Sequence, residues 1–276
     1  MAIFLLIAAV LAVPSASGSL IFHGAAQGVF QDKDPYDLSA SAAFSLQDGK
    51  LQVILTNTHA TGVKVPIEVL TGVFFSLPEG FSLQPASALL PEGSSVLNVP
   101  SGYANNPDVG AEWAYRDWIP NLVPPGGEPL STNRGISSSG LGVFGPEHLF
   151  PNTTGNLSGP ESPDGLQYGI ASAGGIHNNA NPKVKAEALI KNSVTFLLEA
   201  YVFDGNVWTS WTPESLDGFI TNVWFQYGTG TDEPGYEGII YTNGDPAPPN
   251  PVPGPATALL VGLSLLGLAA RKRWMS

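Results

Sequence analysis

Residues 42–55, AAFSLQDGKLQVIL, decide the fold class. Ala42, Phe44 and Leu46 alternate with small or polar residues, Asp48-Gly49 offers a two-residue turn, and Leu51, Val53 and Leu55 resume the alternation. A period of two marks a half-buried β-strand. Asp-Gly favours a type I′ turn, whose two central residues both need positive φ. That turn sets Gln47 opposite Lys50, then Leu46 opposite Leu51, Phe44 opposite Val53 and Ala42 opposite Leu55. All three apolar pairs fall on one face, so the turn chemistry and the burial pattern demand the same register.

Outward from this hairpin, strands are expected over residues 65–77, 94–99, 188–203 around a Lys191-Asn192 turn, and 219–227. In the last of these Phe219, Val223, Phe225 and Tyr227 share one parity. Between the terminal apolar runs, no window of twelve or more residues carries a capped helical stripe. Strands with closely spaced Gly/Pro turns predict an all-β chain: a single antiparallel β-sandwich or jelly-roll-like domain over residues 19–244. From Tyr103 to Asn181 the pattern breaks into Gly, Pro, Ser and Asn, as in Pro124-Pro125-Gly126-Gly127-Glu128-Pro129, and reads as long loops.

The 276-residue chain has no cysteine, which excludes a disulfide scaffold, a Cys-ligated metal site and a thiol nucleophile. A 43% hydrophobic content is enough to bury a core. The net charge of −12 argues against a nucleic-acid partner, since phosphate neutralisation needs clustered Lys and Arg. Three of the 11 Lys and Arg sit in residues 271–276 with none of the 23 acids, so residues 1–270 carry eight bases against 23 acids, a net −15.

Both ends differ from the middle. Residues 2–13 (AIFLLIAAVLAV) are uncharged and apolar, and small residues follow, Pro14-Ser15-Ala16-Ser17-Gly18, so residues 1–18 read as a cleaved secretory signal peptide. Residues 245–255 (DPAPPNPVPGP) contain six prolines and predict an extended spacer. A second apolar run follows at 256–270 (ATALLVGLSLLGLAA), with Arg271, Lys272 and Arg273 directly after it. Fifteen helical residues reach about 22 Å, and extension to Trp274 with snorkelling basic side chains gives about 28 Å against a ~30 Å hydrocarbon core. The run is therefore expected to span as a transmembrane helix. The three bases act as a stop-transfer and hold residues 271–276 as a cytoplasmic tail, with the rest of the chain outside.

The order Val252-Pro253-Gly254-Pro255, glycine-bearing apolar helix, basic cluster resembles the PEP-CTERM sorting signal, with Gly254 standing where the family's motif carries an acid. That resemblance implies processing by an exosortase in Gram-negative bacteria that make exopolysaccharide. It also implies export to the cell envelope or surface, with membrane anchoring before processing. A second resemblance covers more of the chain. Phe44–Val53, Trp113-Ala114-Tyr115, Gly135–Leu141 and Phe225–Thr229 look like one family of exosortase-dependent surface proteins, for which no enzymatic activity carries over.

Candidate chemistry is sparse. His23, His59, His148 and His177 show no i, i+2 or i, i+4 pairing, H-E-x-x-H is absent, and Gly135-Ile136-Ser137-Ser138-Ser139-Gly140 misses the nucleophile-elbow spacing. No cofactor or catalytic group is therefore assigned, and the chain is not read as an enzyme. Asp32, Asp34 and Asp37 place three carboxylates in six residues, which suits either Ca²⁺ or a solvated Asp-Pro turn. Asn152-Thr153-Thr154 and Asn156-Leu157-Ser158 match the N-glycosylation pattern and read as turn residues. Trp113, Tyr115, Trp118, Trp208 and Trp211 either cover the core or stack on sugar rings; Trp208 with Trp211 is the expected pair for an exopolysaccharide-binding module.

Overall fold

A computed structural model describes residues 19–31, 34–99, 106–119, 132–151, 165–212 and 215–240. The expected signal peptide, Asp32, the 245–255 spacer with its sorting motif, the 256–270 run and the basic tail lie outside the described residues. Among those described, no helix is long and apolar enough to cross a membrane.

The deciding hairpin forms as its turn chemistry requires. Strand β2 (Asp34–Gln47) pairs with β3 (Lys50–Asn57) in the register Gln47↔Lys50, Leu46↔Leu51, Phe44↔Val53 and Ala42↔Leu55. Asp48 (φ 50°) and Gly49 (φ 75°) both adopt the positive φ that a primed turn demands. Along β3 buried and half-buried residues alternate without exception.

A first strand that the sequence reading left unassigned, β1 (Leu20–Phe30), lies against the whole length of β2. Its many small residues, GAAQGVF from 24 to 30, give little hydrophobic alternation to read. Gly24 has a packing reason, because a Cβ there would drive into the ring of Tyr236. On the far side of β3 comes β11 (Ser193–Phe203). Strand β5 (Phe81–Leu89) runs along one side of β11; the other side is shared by β3, as far as Leu198, and by β12 (Trp208–Ser210), from Tyr201 onward. A two-residue strand, β15 (Ile239–Ile240), closes this seven-stranded sheet beside β1.

The second sheet has eight strands. β4 (Leu70–Ser76) pairs with β13 (Thr221–Tyr227), which pairs with β14 (Gly235–Glu237). Its other flank takes β8 (Arg134–Ser137), itself paired with β7 (Ala114–Arg116), and β9 (Ile170–Ala171). β10 (Leu189–Lys191) runs parallel to β9 and antiparallel to β6 (Ser95–Leu97). The two sheets share one core, in which Phe44 of the first meets Phe75 of the second edge to face at 5.4 Å between ring centres. The fold is therefore all-β and sandwich-like.

Three departures from the sequence reading have physical causes. The expected strand over 65–77 begins late, because Pro66-Ile67-Glu68 form a 3₁₀ turn. Pro66 has no N–H to give a ladder, and the buried Glu68 carboxylate accepts from the Lys64 amide at 2.6 Å. The segment expected over 188–203 around a Lys191-Asn192 turn is divided between the two sheets: with Asn192 at φ 80°, the chain passes from β10 in one sheet to β11 in the other. Finally, β4 is buried along all seven residues, on both faces. Phe74 on its outer side packs with Ala114, Ile119, Leu141 and Phe144 from the segment whose Gly/Ser content read as loops.

Tyr227 and Tyr236 share a hydrogen bond between their buried hydroxyls, 2.7 Å apart. Burial is the main reason that both phenols titrate above their ordinary value of 10. Above pH 10 the unfolded chain releases these protons while the folded chain keeps them, so their effect on stability is constant below pH 10 and turns destabilising as pH rises beyond it. Urea unfolding midpoints are expected to fall progressively above pH 10, and to fall less in a Tyr227→Phe, Tyr236→Phe double variant.

Candidate functional site

One end of the body holds an open groove of about 460 Å³ lined by Pro78, Phe81, Trp211, Thr212, Ser215, Asp217, Gly218 and Phe219. Three rings form its apolar side. Phe81 lies 4.6 Å from Trp211 and 5.1 Å from Phe219, and Trp211 lies 5.0 Å from Phe219, measured between ring centres. Phe81 opens β5. Trp211 follows β12 and extends its ladder, donating its amide to the Ala200 carbonyl at 2.9 Å. Phe219 sits in a tight turn whose Gly218 takes φ 68°, with the Phe219 and Ile220 amides donating to the Leu216 carbonyl.

The polar side is made of short groups. The Thr212 hydroxyl donates to the Gly49 carbonyl at 3.3 Å, which ties the groove to the deciding hairpin. The Ser215 hydroxyl accepts from the Asp217 amide at 3.1 Å. A half-buried indole flanked by hydroxyls and a carboxylate suits a ligand with an apolar face and polar edges, as a sugar ring has.

Strand alternation separates the two tryptophans expected to act together. Phe203 is opposite Trp208 and Tyr201 opposite Ser210, all on the outer face of the first sheet; Trp211 continues opposite the buried Ala200 on the inner face. Trp208, 51% exposed, packs on Phe203 at 5.3 Å and has no part in the groove. Trp113 is fully buried against Phe196, whereas Trp118 is 64% exposed.

Of the three aspartates, Asp34 and Asp37 belong to a strand, and Asp32 lies outside the described residues. β2 begins at Asp34, and Asp37 pairs across to Gln27. The exposed Asp37 carboxylate faces the His59 ring at 3.9 Å. Among the described residues no group of three or more His, Asp or Glu is placed to hold a metal ion.

The segments around Tyr115, Ser137 and Gln226 take part in two hydrogen-bond hubs. In the first, Asp117, just after Trp113-Ala114-Tyr115, accepts from the Tyr115 hydroxyl at 2.7 Å, the Ser82 hydroxyl at 2.8 Å, the Leu83 amide at 3.0 Å and Arg134 Nε at 3.0 Å. Burial, and then the Asp117 carboxylate, hold the Tyr115 phenol well above its ordinary value. This hub fastens β5 of the first sheet to β7 and β8 of the second.

In the second hub, the Ser137 hydroxyl donates to the Thr71 carbonyl at 3.0 Å, and the Thr71 hydroxyl donates to the Gly228 carbonyl at 2.6 Å. The buried Gln226 amide donates to the carbonyls of Tyr227, Gly230 and Glu233. Segments 135–141 and 225–229 thus meet across β4. Their hydroxyls and amides satisfy backbone carbonyls, a role that spacing alone could not reveal because the partners lie up to 157 positions apart.

No protein-family model, curated protein or solved structure matches this chain.

Asp117→Ala leaves the Arg134 guanidinium buried without its carboxylate. The expected loss of stability is about 3 kcal/mol, the low end for an orphaned buried charge because Asp117 itself keeps partial contact with water. Chemical denaturation measures it. An Asp117→Ala, Arg134→Met double variant is expected to recover part of the loss.

Proposed function

We propose that the chain is an exported, matrix-associated protein of the bacterial cell surface. Its single β-sandwich domain over residues 19–244 is delivered by a signal peptide and sorted by an exosortase through Val252-Pro253-Gly254-Pro255, the 256–270 helix and Arg271, Lys272 and Arg273. The role is structural or binding rather than catalytic. The observation that supports this reading is the position of the two ends of the body. Phe22 pairs with Ile240 and His23 with Ile239, so the last described strand leaves beside the first and heads toward the Leu20 end. A domain whose two ends leave from one edge suits a body carried on a single stalk. Its net −15 over residues 1–270 keeps such a body soluble and apart from other anionic surfaces.

The intact mass of the surface-exposed form tests the proposal. Loss of about residues 1–18 and of everything near or after Pro255 is the expected result; an intact C-terminus overturns the exosortase reading.

The groove at Trp211 favours a second reading, an exopolysaccharide-binding module at the same location. On that reading Trp211→Ala abolishes retention on extracted exopolysaccharide in affinity electrophoresis, while Trp208→Ala, on the opposite face, leaves it unchanged. Equal retention of wild type and Trp211→Ala counts against it.

A further inference from the structure

The first sheet has one long open edge. β2 covers one side of β1 over all eleven residues, from Leu20↔Phe44 to Phe30↔Asp34. Among the described residues, β15 pairs with the other side at Phe22 and His23, and Tyr236 and Glu237 lie against Gly24. Successive residues of a strand direct their N–H and C=O groups to opposite sides, so every second residue from Gly24 to Phe30 offers a donor and an acceptor outward.

Natural sheets blunt such edges with short strands, bulges, proline or charge. The other edges here use those devices. β6, β7 and β14 are each three residues long, and β5 carries Pro85 beside a register shift at Leu197/Leu198. Residues 24–30, Gly-Ala-Ala-Gln-Gly-Val-Phe, contain neither charge nor proline. Their pairing with β2 has no register shift, and no residue of β1 takes positive φ. Val29 is 59% exposed.

We propose that this edge binds a second copy of the chain, β1 against β1 antiparallel about a two-fold axis at Gln27, to give a continuous fourteen-stranded sheet from two seven-stranded ones. Charge argues for this occupant. Copies of a body with 22 acids against eight bases over residues 19–244, a net −14, repel one another over most of their surface, whereas an uncharged strand paired with itself sets no like charges opposite. Among the described acids, Glu237 lies beside Gly24, and its two-fold counterpart would stand beside Gly24 of the second copy, six residues along the ladder and about 20 Å away; Asp37, opposite Gln27, is one strand inward. Its counterpart in the second copy would lie three strand spacings away, about 14 Å, beyond the ~8 Å screening length at physiological salt. A two-fold contact uses the same patch on both copies and closes at a dimer. A ladder this short holds weakly, so the dimer forms at high local concentration, as on a crowded surface. The inference does not depend on the sorting signal.

The absence of native cysteine makes the test direct. Single cysteines are placed in the full-length chain at Ala25, Ala26, Gln27, Gly28 and Val29, with Glu92→Cys as an exposed control, and mildly oxidised. Residues facing each other across an antiparallel pair have Cα atoms about 4.5–5.5 Å apart, within disulfide reach. Gln27→Cys, at an exposed position that the fold tolerates, is expected to form disulfide-linked dimers at least tenfold faster than Glu92→Cys. Flanking positions should react more slowly, and adding Val29→Lys should abolish the reaction. Dimer formation at the control rate at all five positions, insensitivity to Val29→Lys, or capture of another extended chain without self-dimerisation overturns the proposal.

Discussion

The contact between the two sheets carries this body, because nothing covalent does. With no cysteine to cross-link the chain, the inner faces must supply the cohesion, and they do so with large rings: Phe22 on Phe44, Phe44 on Phe75, Trp113 and Phe150 on Phe196. Several elements exist only because that contact does. The short strands β9, β10 and β15 have too few hydrogen bonds to persist alone and hold their place because Ile170, Ile190 and Phe22 are buried beside them.

Burial of both faces of β4 adds a further constraint. A strand enclosed on both sides needs a cover, and the chain provides it from segments rich in Gly, Ser and Pro that pack Ile119, Leu141 and Phe144 over Phe74. Such segments bring their own polar backbone into the interior, where each carbonyl needs a partner. The serines at 137 and 138, Thr71 and Gln226 meet that need. Segments 135–141 and 225–229 therefore serve, in this structure, to seat irregular backbone against a buried strand.

Legibility followed distance along the chain. The 42–55 hairpin could be read to the residue because turn type and apolar parity are both local. The strand expected over 219–227 was readable from Thr221 onward for the same reason, with Val223, Phe225 and Tyr227 buried, whereas Phe219 falls in the turn before it. β1 could not be read, since its alanines and glycines carry little contrast, and the Lys191-Asn192 turn could be read as a turn but not as a passage between sheets, because a positive-φ residue serves either. At the candidate site Trp211 was visible as a tryptophan near a strand end. Phe81, Asp217 and Phe219 were not, for they reach it from separate segments.

The sequence by itself determined the fold class, the acidic balance, the cysteine-free chemistry and the partition into apolar ends and a β-rich middle, since composition and period are properties of neighbours. Tertiary structure alone decided which aromatic rings share a groove, which face Trp208 takes, which serines are spent on buried carbonyls and which sheet edge stays open. Each of these depends on how strands far apart in the chain are brought side by side, and that is set by the packing of two sheets against one another.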